Sequence, residues 1–463
     1  ADYCRPLWEE YKILAVDGGY GNSSLNLSRM DQTYGLFLEE NGAAKGVHMF
    51  QLYQTQAKVD SYALLSDQCG AALIKEAALY EKEHAPEAVL SMWLSSCKKT
   101  KEENGLTLNL DHILEQGTSA VEEAHKQVDV KTADIKETDI KEIDIREPDN
   151  RETNIKKMTS EPLQEKKLIT DNPIDLICQW KKQGILKFVL QEDADISTET
   201  IALEEVSSYR LLDTGTYDPN LSVSWEEKIL FQLYILQMFS NYKKDCGHGG
   251  LKYQQEYILC GEKSDEQNLK GTVTRLLAVR ETGNYISLLA DTKKKAEALS
   301  MATAIAGASA NPAIIKSVQL GILAAWAYAE SILDVRTLLN RGKISYVKTP
   351  ADWTADIYHL SECMNKTFQA KNCENGMDYA GYLLFMRNYL VTKEQCAKRT
   401  MDLMEDGIQR EENYSNIKID RFIYAVIFYS EQISSPLFLS FVPVVFIDSD
   451  FEQFKMKKEM SYL

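Results

Sequence analysis

The sequence contains few of the residues and motifs on which recognisable active sites depend. Its 463 residues include only six histidines, and these are scattered without the spacing of metal ligands. It has no Gly-x-Ser-x-Gly, Gly-x-x-x-x-Gly-Lys-Ser/Thr or His-Glu-x-x-His motif, which excludes the usual signatures of serine hydrolases, phosphate-binding loops and zinc proteases. We therefore predict no catalytic residue and no cofactor, and we interpret the protein as one that is not an enzyme.

Basic residues are also in short supply relative to acidic ones. The chain has 52 Lys and Arg against 69 Asp and Glu, and its net charge is -17. Proteins that bind nucleic acid need clustered Lys and Arg to neutralise phosphates, so we predict no nucleic-acid partner. An acidic surface of this kind instead favours solubility.

Long apolar runs are absent. A membrane helix needs about 18 or more consecutive apolar residues. The nearest candidates are residues 303–326, which Asn311, Pro312 and Lys316 interrupt, and residues 436–447, which are too few to span a bilayer. The sequence also lacks the basic, apolar and small-residue zones of a secretory signal. If the protein is exported, we expect the signal to lie outside the given sequence.

The nine cysteines are too sparse for a disulfide scaffold, and no Cys-x-x-Cys pair indicates zinc binding or redox chemistry. Cys363 with Cys373, or Cys246 with Cys260, could form a disulfide outside the cell. The alternative is that these cysteines are buried free thiols, because cysteine is readily buried as a small apolar residue.

Two weaker groups of residues are candidate sites. Asp17 follows a predicted strand, where α/β enzymes often place a catalytic acid, but an aspartate before two glycines also stabilises a turn. Cys246, His248 and Cys260 could converge on zinc across a Gly-rich turn, but a structural zinc site normally has four ligands. We therefore predict neither a catalytic site nor a metal site.

The most unusual segment is a run of six tandem pentads over residues 129–158, of which Asp-Ile-Lys-Glu-Thr is typical. A period of five gives neither a helix nor a strand a continuous apolar face. Six pentads are also too few to stack into a solenoid. We therefore predict a disordered, charged linker over residues 98–170. It would separate an N-terminal strand and helix part, residues 1–97, from the main α+β domain, residues 171–463.

Hydrophobic periodicity predicts an α+β fold in which antiparallel strands are packed with helices. The predicted strands are residues 13–17, 47–65, 184–190, 251–261 and two within 424–446. The main predicted helices are residues 7–11, a capped helix near 28–40, one from Asp67, and residues 173–182, 225–242 and 399–405. Two Ala-rich helices within 291–339 are predicted to form a tight antiparallel hairpin, because Asn311 and Pro312 separate them and Pro favours the first turn of a helix.

Several blocks of the sequence resemble a known family. Near the start, the pattern aromatic-x-x-Tyr-x-Ile/Leu-x-x-Asp-x-x-Tyr-Gly is matched by Trp8, Tyr11, Ile13, Leu14, Asp17, Tyr20 and Gly21. Further matching blocks lie at residues 251–261, 275–281, 347–353, 377–383 and 399–405. In these blocks the chain resembles a largely uncharacterised family of Gram-positive, clostridial-type bacteria, which is encoded beside tight-adherence (Tad) pilus genes and is similar to the TadE/TadG-like pseudopilins.

This resemblance implies a function as well as a location. The first block follows an apolar membrane helix in that family, and the chain here opens at Ala1 without Met, so we expect such a helix to precede it. The protein would then be an extracellular structural component of a Tad-like pilus or surface assembly, anchored in the membrane or built into the fibre. Its partners would be other assembly proteins. The alternatives are a surface adhesin that binds carbohydrate or a host surface, and a hydrolase that uses Asp17.

Overall fold

The protein has an α+β fold, as predicted, with one antiparallel sheet and a majority of helices. The computed structural model describes residues 4–17, 32, 36, 50–84, 113–124, 126–127, 172–192, 194–247, 249–411, 414–436 and 452–463. The helices are α1 (Arg5–Tyr11), α2 (Asp67–His84), α3 (Pro173–Lys181), α4 (Leu186–Val189), α5 (Trp225–Met238), α6 (Gln254–Cys260), α7 (Asp265–Ala290), α8 (Thr292–Ala306), α9 (Pro312–Leu339), α10 (Tyr379–Leu390) and α11 (Lys393–Gln409).

The chain separates into two compact units, each assembled from segments that are distant in the sequence. Unit 1 comprises Ala1–Asn104, Ile196–Leu269 and Leu383–Leu463, and unit 2 comprises Gly105–Asp195 and Lys270–Tyr382. The predicted division at residues 97 and 170 follows chain order, whereas both units combine early and late parts of the chain. Sequence periodicity reports local structure and gives no information on which distant segments meet.

The sheet belongs to unit 1. Its strands are β1 (Val16–Asp17), β2 (Phe50–Leu64), β3 (Phe422–Pro436) and β4 (Glu452–Ser461), and β3 pairs with each of the others in antiparallel register. The aromatic and β-branched residues at the start of β3 favour this conformation. The predicted strand over 47–65 is confirmed as β2, and the first of the two strands predicted within 424–446 is confirmed as β3. Residues 437–451 lie outside the described part of the chain.

The core of unit 1 joins α1, α2, α5, α6 and α11 to one face of the sheet. Helix α5 begins at a capping box, in which the Ser224 side chain accepts a hydrogen bond from the Glu227 N–H and the Glu227 carboxylate accepts one from the Ser224 N–H. These bonds satisfy donors that have no partner inside the helix. α2 packs against both α5 and α11. The predicted helices that correspond to α1, α2, α5 and α11 are therefore confirmed.

The Ala-rich hairpin is confirmed in unit 2 as α8 and α9. The Asp291 and Asn311 side chains cap the two helices, and Pro312 occupies the first turn of α9, as predicted. Among the described residues, α9 is the one helix long and apolar enough to cross a membrane, but 94% of its apolar window is buried inside the protein. α9 is therefore the central helix of the unit 2 core.

Two predicted strands are wrong. Residues 184–190 contain the short helix α4, and residues 251–261 contain α6. Every residue of α6 is buried, so its polar residues do not mark a solvent face. A helix buried on all sides shows no 3.6-residue period, and the accidental alternation from Tyr253 to Leu259 resembled that of a strand.

The predicted linker is wrong over part of its length. Residues 113–124 are helical and bury Leu114, Ala120, Val121 and Ala124. Gly117 lies against Gly321 of α9 so closely that a Cβ on Gly117 would come within 2.8 Å of the Gly321 Cα. The apolar positions before the pentads are therefore part of unit 2. The pentads themselves, and the helix predicted near 28–40 apart from residues 32 and 36, lie outside the described residues.

Candidate functional site

The block that resembles the membrane-proximal segment of pseudopilin-like proteins is part of the unit 1 core. Leu7, Tyr11, Ile13 and Ala15 are fully buried. The Tyr11 ring stacks on Phe239 with ring centroids 5.8 Å apart. Apolar burial of this extent contributes roughly 1.5–3 kcal/mol for each large side chain. The first residues of the described chain are therefore an integral element of unit 1.

Hydrogen bonds fix the same block on several sides. The Tyr234 hydroxyl donates to the Tyr11 carbonyl at 2.5 Å, and the Cys4 N–H donates to the Ala15 carbonyl at 2.9 Å. The Leu14 N–H donates to the Glu76 carboxyl of α2 at 2.7 Å. Val16 and Asp17 then pair with the first residues of β3. The path from α1 to the sheet is thus bonded to α2, α5 and β3.

A second arrangement lies inside unit 2, where four ionisable side chains form a buried cluster. Arg280 lies on α7, Glu330 and Asp334 lie on α9, and Lys348 lies in the segment that follows α9. The side chains of all four are fully buried. Glu330 and Asp334 are four residues apart and so share one face of α9. Two cations and two anions make this ion cluster electrically neutral, which burial of charge requires.

The contacts within the ion cluster are close. The Lys348 ammonium contacts the Glu330 carboxylate and lies 2.5 Å from Asp334 Oδ1. Arg280 Nε donates to Asp334 Oδ2 at 3.0 Å. Asn284, one turn after Arg280 on α7, donates to the same oxygen at 2.8 Å. Burial opposes ionisation of Asp334, but the charges of Arg280 and Lys348 hold the pKa of Asp334 below its usual value.

Glu330 has different neighbours from Asp334. Its Oε2 accepts hydrogen bonds from the backbone N–H groups of Thr354 at 3.2 Å and Ala355 at 2.6 Å. Burial raises the pKa of Glu330, although Lys348 opposes this shift. The pKa values of these two acids, which lie one turn apart on α9, are therefore shifted in opposite directions. Such divergence between neighbouring carboxyl groups is typical of sites that transfer protons.

A cleft of about 510 Å³, including the part open to solvent, lies beside the ion cluster. Lys294 of α8 lines it, and the Lys294 ammonium is 4.9 Å from the ring centroids of both Trp326 and Trp353. The two indoles meet edge to face at 5.8 Å. Burial lowers the pKa of Lys294. The remaining lining residues are Ile286, Ser287, Ala290, Asp291, Val347, Lys348, Thr349 and Pro350.

The site residues considered from the sequence are not brought together. Neither Cys363 with Cys373 nor Cys246 with Cys260 forms a disulfide in this structure. No group of three or more His, Cys, Asp or Glu residues that could hold a metal ion occurs among the described residues. His248 and the Asp17 side chain lie outside the description, so the Asp17 hydrolase stays a hypothesis.

Sequence reasoning missed the ion cluster, although a signal for it was present. Glu330 and Asp334 are two acids one turn apart in the C-terminal half of a largely apolar helix, where Arg336 is the one other charged residue. Acidic residues are almost never fully buried unless they have a partner. A search for cations on neighbouring elements would have found Arg280 and Lys348, but only the fold shows which of the 52 basic residues are near.

Comparison with known proteins gives one match. A model described as a family of unknown function (DUF5702) matches residues 163–431, which is more than half of the chain. The chain belongs to this family. No curated protein and no solved structure matches it. The part that matches DUF5702 includes the ion cluster and the cleft, whereas the N-terminal block at residues 4–17 precedes it.

Proposed function

We propose that this member of DUF5702 is an extracellular structural component of a Tad-like pilus or surface assembly. It would act as a minor pilin or pseudopilin head, anchored in the membrane or incorporated in the fibre through an N-terminal apolar helix. Its partners would be other assembly proteins, and it would work by contact without catalysing a reaction.

The observation that supports this proposal most strongly is the position of the N-terminal block. A head that is held by a helix at its start must transmit load from that helix into its core. Tyr11, Ile13 and Leu14, which match the membrane-proximal pattern, are bonded to or buried against α2, α5 and α11. A flexible segment at this point would not transmit load from the anchoring helix to the head. The bonds that hold the described block to the core support this role.

The proposal is tested by locating the protein in cells that carry the intact gene. We expect it to sediment with membranes or sheared fibres and to be cut by protease added to whole cells. Extraction at alkaline pH separates the two forms, because a membrane-spanning helix resists it. Recovery of the protein in the cytosol, protected from external protease, would refute the proposal. A cytosolic enzyme expressed in the same cells is the control for lysis.

A surface adhesin that binds carbohydrate or a host surface is the second candidate, and the cleft is the observation that favours it. Trp353 provides an aromatic wall, while Thr349 and Asp291 provide polar groups beside it. Aromatic faces with a few polar groups are common in ligand sites. We expect Trp353→Ala to abolish binding on a glycan array if this function exists. No glycan bound by the wild-type protein would eliminate a carbohydrate-binding role.

A further inference from the structure

Lys348 has a fully buried side chain, and its ammonium group lies between two carboxyl groups. Its ammonium contacts the Glu330 carboxylate and is 2.5 Å from Asp334 Oδ1, and the side chains of all three are fully buried. The elements that hold them are packed together, since α9 is buried along most of its length. Reactive groups held at such distances react as if at very high local concentration.

The surroundings of the Glu330 carboxyl favour attack on its carbon. The Ala355 N–H donates to Oε2 at 2.6 Å, where negative charge develops when an amine adds to the carboxyl, and the Thr354 N–H is shared between Oε1 and Oε2 at 3.2 Å from each. Asp334 stays ionised beside Arg280 and can accept a proton from Lys348. The cluster therefore combines a nucleophile, an electrophile, a base and the Ala355 N–H as an oxyanion donor.

We propose that Lys348 and Glu330 become joined by an isopeptide bond, so that the segment after α9 is covalently linked to α9. In this reaction the Lys348 ammonium first gives one proton to Oε1 of the Glu330 carboxylate that it contacts, and the neutral Nζ then attacks the Glu330 Cδ. Asp334 takes a second proton from the attacking nitrogen and passes it to Oε1. The bond from Cδ to Oε1 then breaks, Oε1 leaves as water, and Nζ keeps one hydrogen in the amide. One water is released, no oxidant or co-reactant is needed, and Asp334 is unchanged.

Electrostatics favours this reaction in the buried cluster. Burial raises the pKa of Glu330, which favours the neutral acid that reacts with amines. The product replaces one buried ion pair by a neutral amide and leaves Arg280 paired with Asp334. Lys348 also lines the cleft, which provides a route for the released water. Because the side chains are otherwise shielded from water, the amide would be protected from hydrolysis.

The test is the mass of the wild-type chain, measured after denaturation. We expect it to be lower than the sequence mass by one water, about 18 Da. Dehydration at an aspartyl-glycine step would give the same loss, so the position of the bond must also be determined. A tryptic digest should contain a branched peptide that joins residues 317–336 to residues 344–366, uncleaved after Lys348. Neither of the two linear peptides should be abundant.

Variants distinguish the roles within the cluster. Lys348→Met and Glu330→Ala should each restore the mass calculated from the sequence, whereas Lys371→Met, at an exposed lysine, should keep the loss of one water. Asp334→Asn should lower the cross-linked fraction if Asp334 relays the proton. Complete cross-linking of this variant would refute that role.

The wild-type measurement decides the proposal even if the variants do not fold, because it needs no folded variant for comparison. Wild-type protein with the full sequence mass, cleaved by trypsin after Lys348, would overturn the proposal. A water loss located at any other position would overturn it as well. The test does not depend on the proposed pilus function, since a cytosolic protein could contain the same bond.

Discussion

The two units bury pairs of acids in contrasting ways. In unit 2, Glu330 and Asp334 face two cations and form the neutral ion cluster. In unit 1, Glu76 and Glu81 of α2 are buried beside neutral donors, namely the Leu14 N–H and the Gln237 amide. Burial raises the pKa of Glu76 to about 8 and that of Glu81 to about 7.

This difference shows two solutions to one physical problem. A carboxylate removed from water needs either a counter-ion or a proton. Unit 2 provides counter-ions, so its network should be intolerant of losing one partner. In unit 1 the buried carboxyl groups are protonated instead, so the stability of unit 1 should depend on pH near neutrality. In unit 1, one oxygen of each carboxyl has no hydrogen-bond partner among the described residues, so neither carboxyl has the donors that a buried carboxylate would need.

The largest expected effect comes from breaking the ion cluster of unit 2. Arg280→Met removes the cation that neutralises Asp334 and should lower the free energy of unfolding by about 3–5 kcal/mol in urea titrations. Arg5→Met is the matched control, because Arg5 pairs with Glu9 on the surface and its side chain is 75% exposed. The control should change stability by less than about 0.5 kcal/mol. Equal costs for the two variants would contradict the account.

A second variant tests whether unit 1 depends on the N-terminal block. A Cβ on Gly407 of α11 would overlap the Tyr11 hydroxyl, so Gly407→Ala should lower the free energy of unfolding by about 1–3 kcal/mol. Gly307→Ala is the control, since its nearest neighbour is the Thr303 methyl group at 3.3 Å. When Tyr11 is replaced by Phe, Gly407→Ala should lower the free energy of unfolding by less, because the hydroxyl that the new Cβ meets is gone. A cost that is unchanged in that background would show that the clash lies elsewhere.

The protonated acids of unit 1 predict a pH effect with a defined sign. The pKa of Glu76 is raised from 4.5 to about 8 in the folded protein, so the folded state binds this proton more tightly than the unfolded state does. Stability should therefore fall as pH rises through this window. Glu76→Gln cannot ionise and should be more stable than wild type at pH 8 by at least about 1 kcal/mol, relative to the difference at pH 5.

Urea titrations at several pH values would measure this effect. Glu9→Gln, at an exposed position of α1, should leave the pH dependence of wild type unchanged. If Glu76→Gln and wild type lose stability in parallel between pH 5 and pH 8, then Glu76 is not the protonated group.

The smallest expected effect concerns the helix that packs against α2. Ser224→Ala removes the hydroxyl that caps α5 and should cost about 1 kcal/mol in the same titrations. Ser222→Ala, at the exposed serine two positions earlier, should be neutral within about 0.5 kcal/mol. A larger loss at Ser222 than at Ser224 would show that the cap is assigned to the wrong residue.

Local signals explain which parts of the fold could be predicted. The α8–α9 hairpin was predictable because Asn311 and Pro312 act on their own neighbours, and the cap at Ser224 is local as well. α6 was not predictable as a helix. Elements from other parts of the chain bury it completely, so its sequence lacks the 3.6-residue hydrophobic period of a surface helix. The ion cluster combines α7, α9 and the segment after α9, so its geometry required the fold.

Hydrogen exchange at residues 4–17 tests the central claim most directly, namely that the start of the described chain is a rigid element of unit 1. The account predicts that the amides of Cys4 and Leu14, which donate to Ala15 and Glu76, exchange as slowly as those in the middle of α11. Exchange at the rate of an unstructured peptide, while α11 remains protected, would contradict it. The proposed role as an anchored head would then lose its structural support.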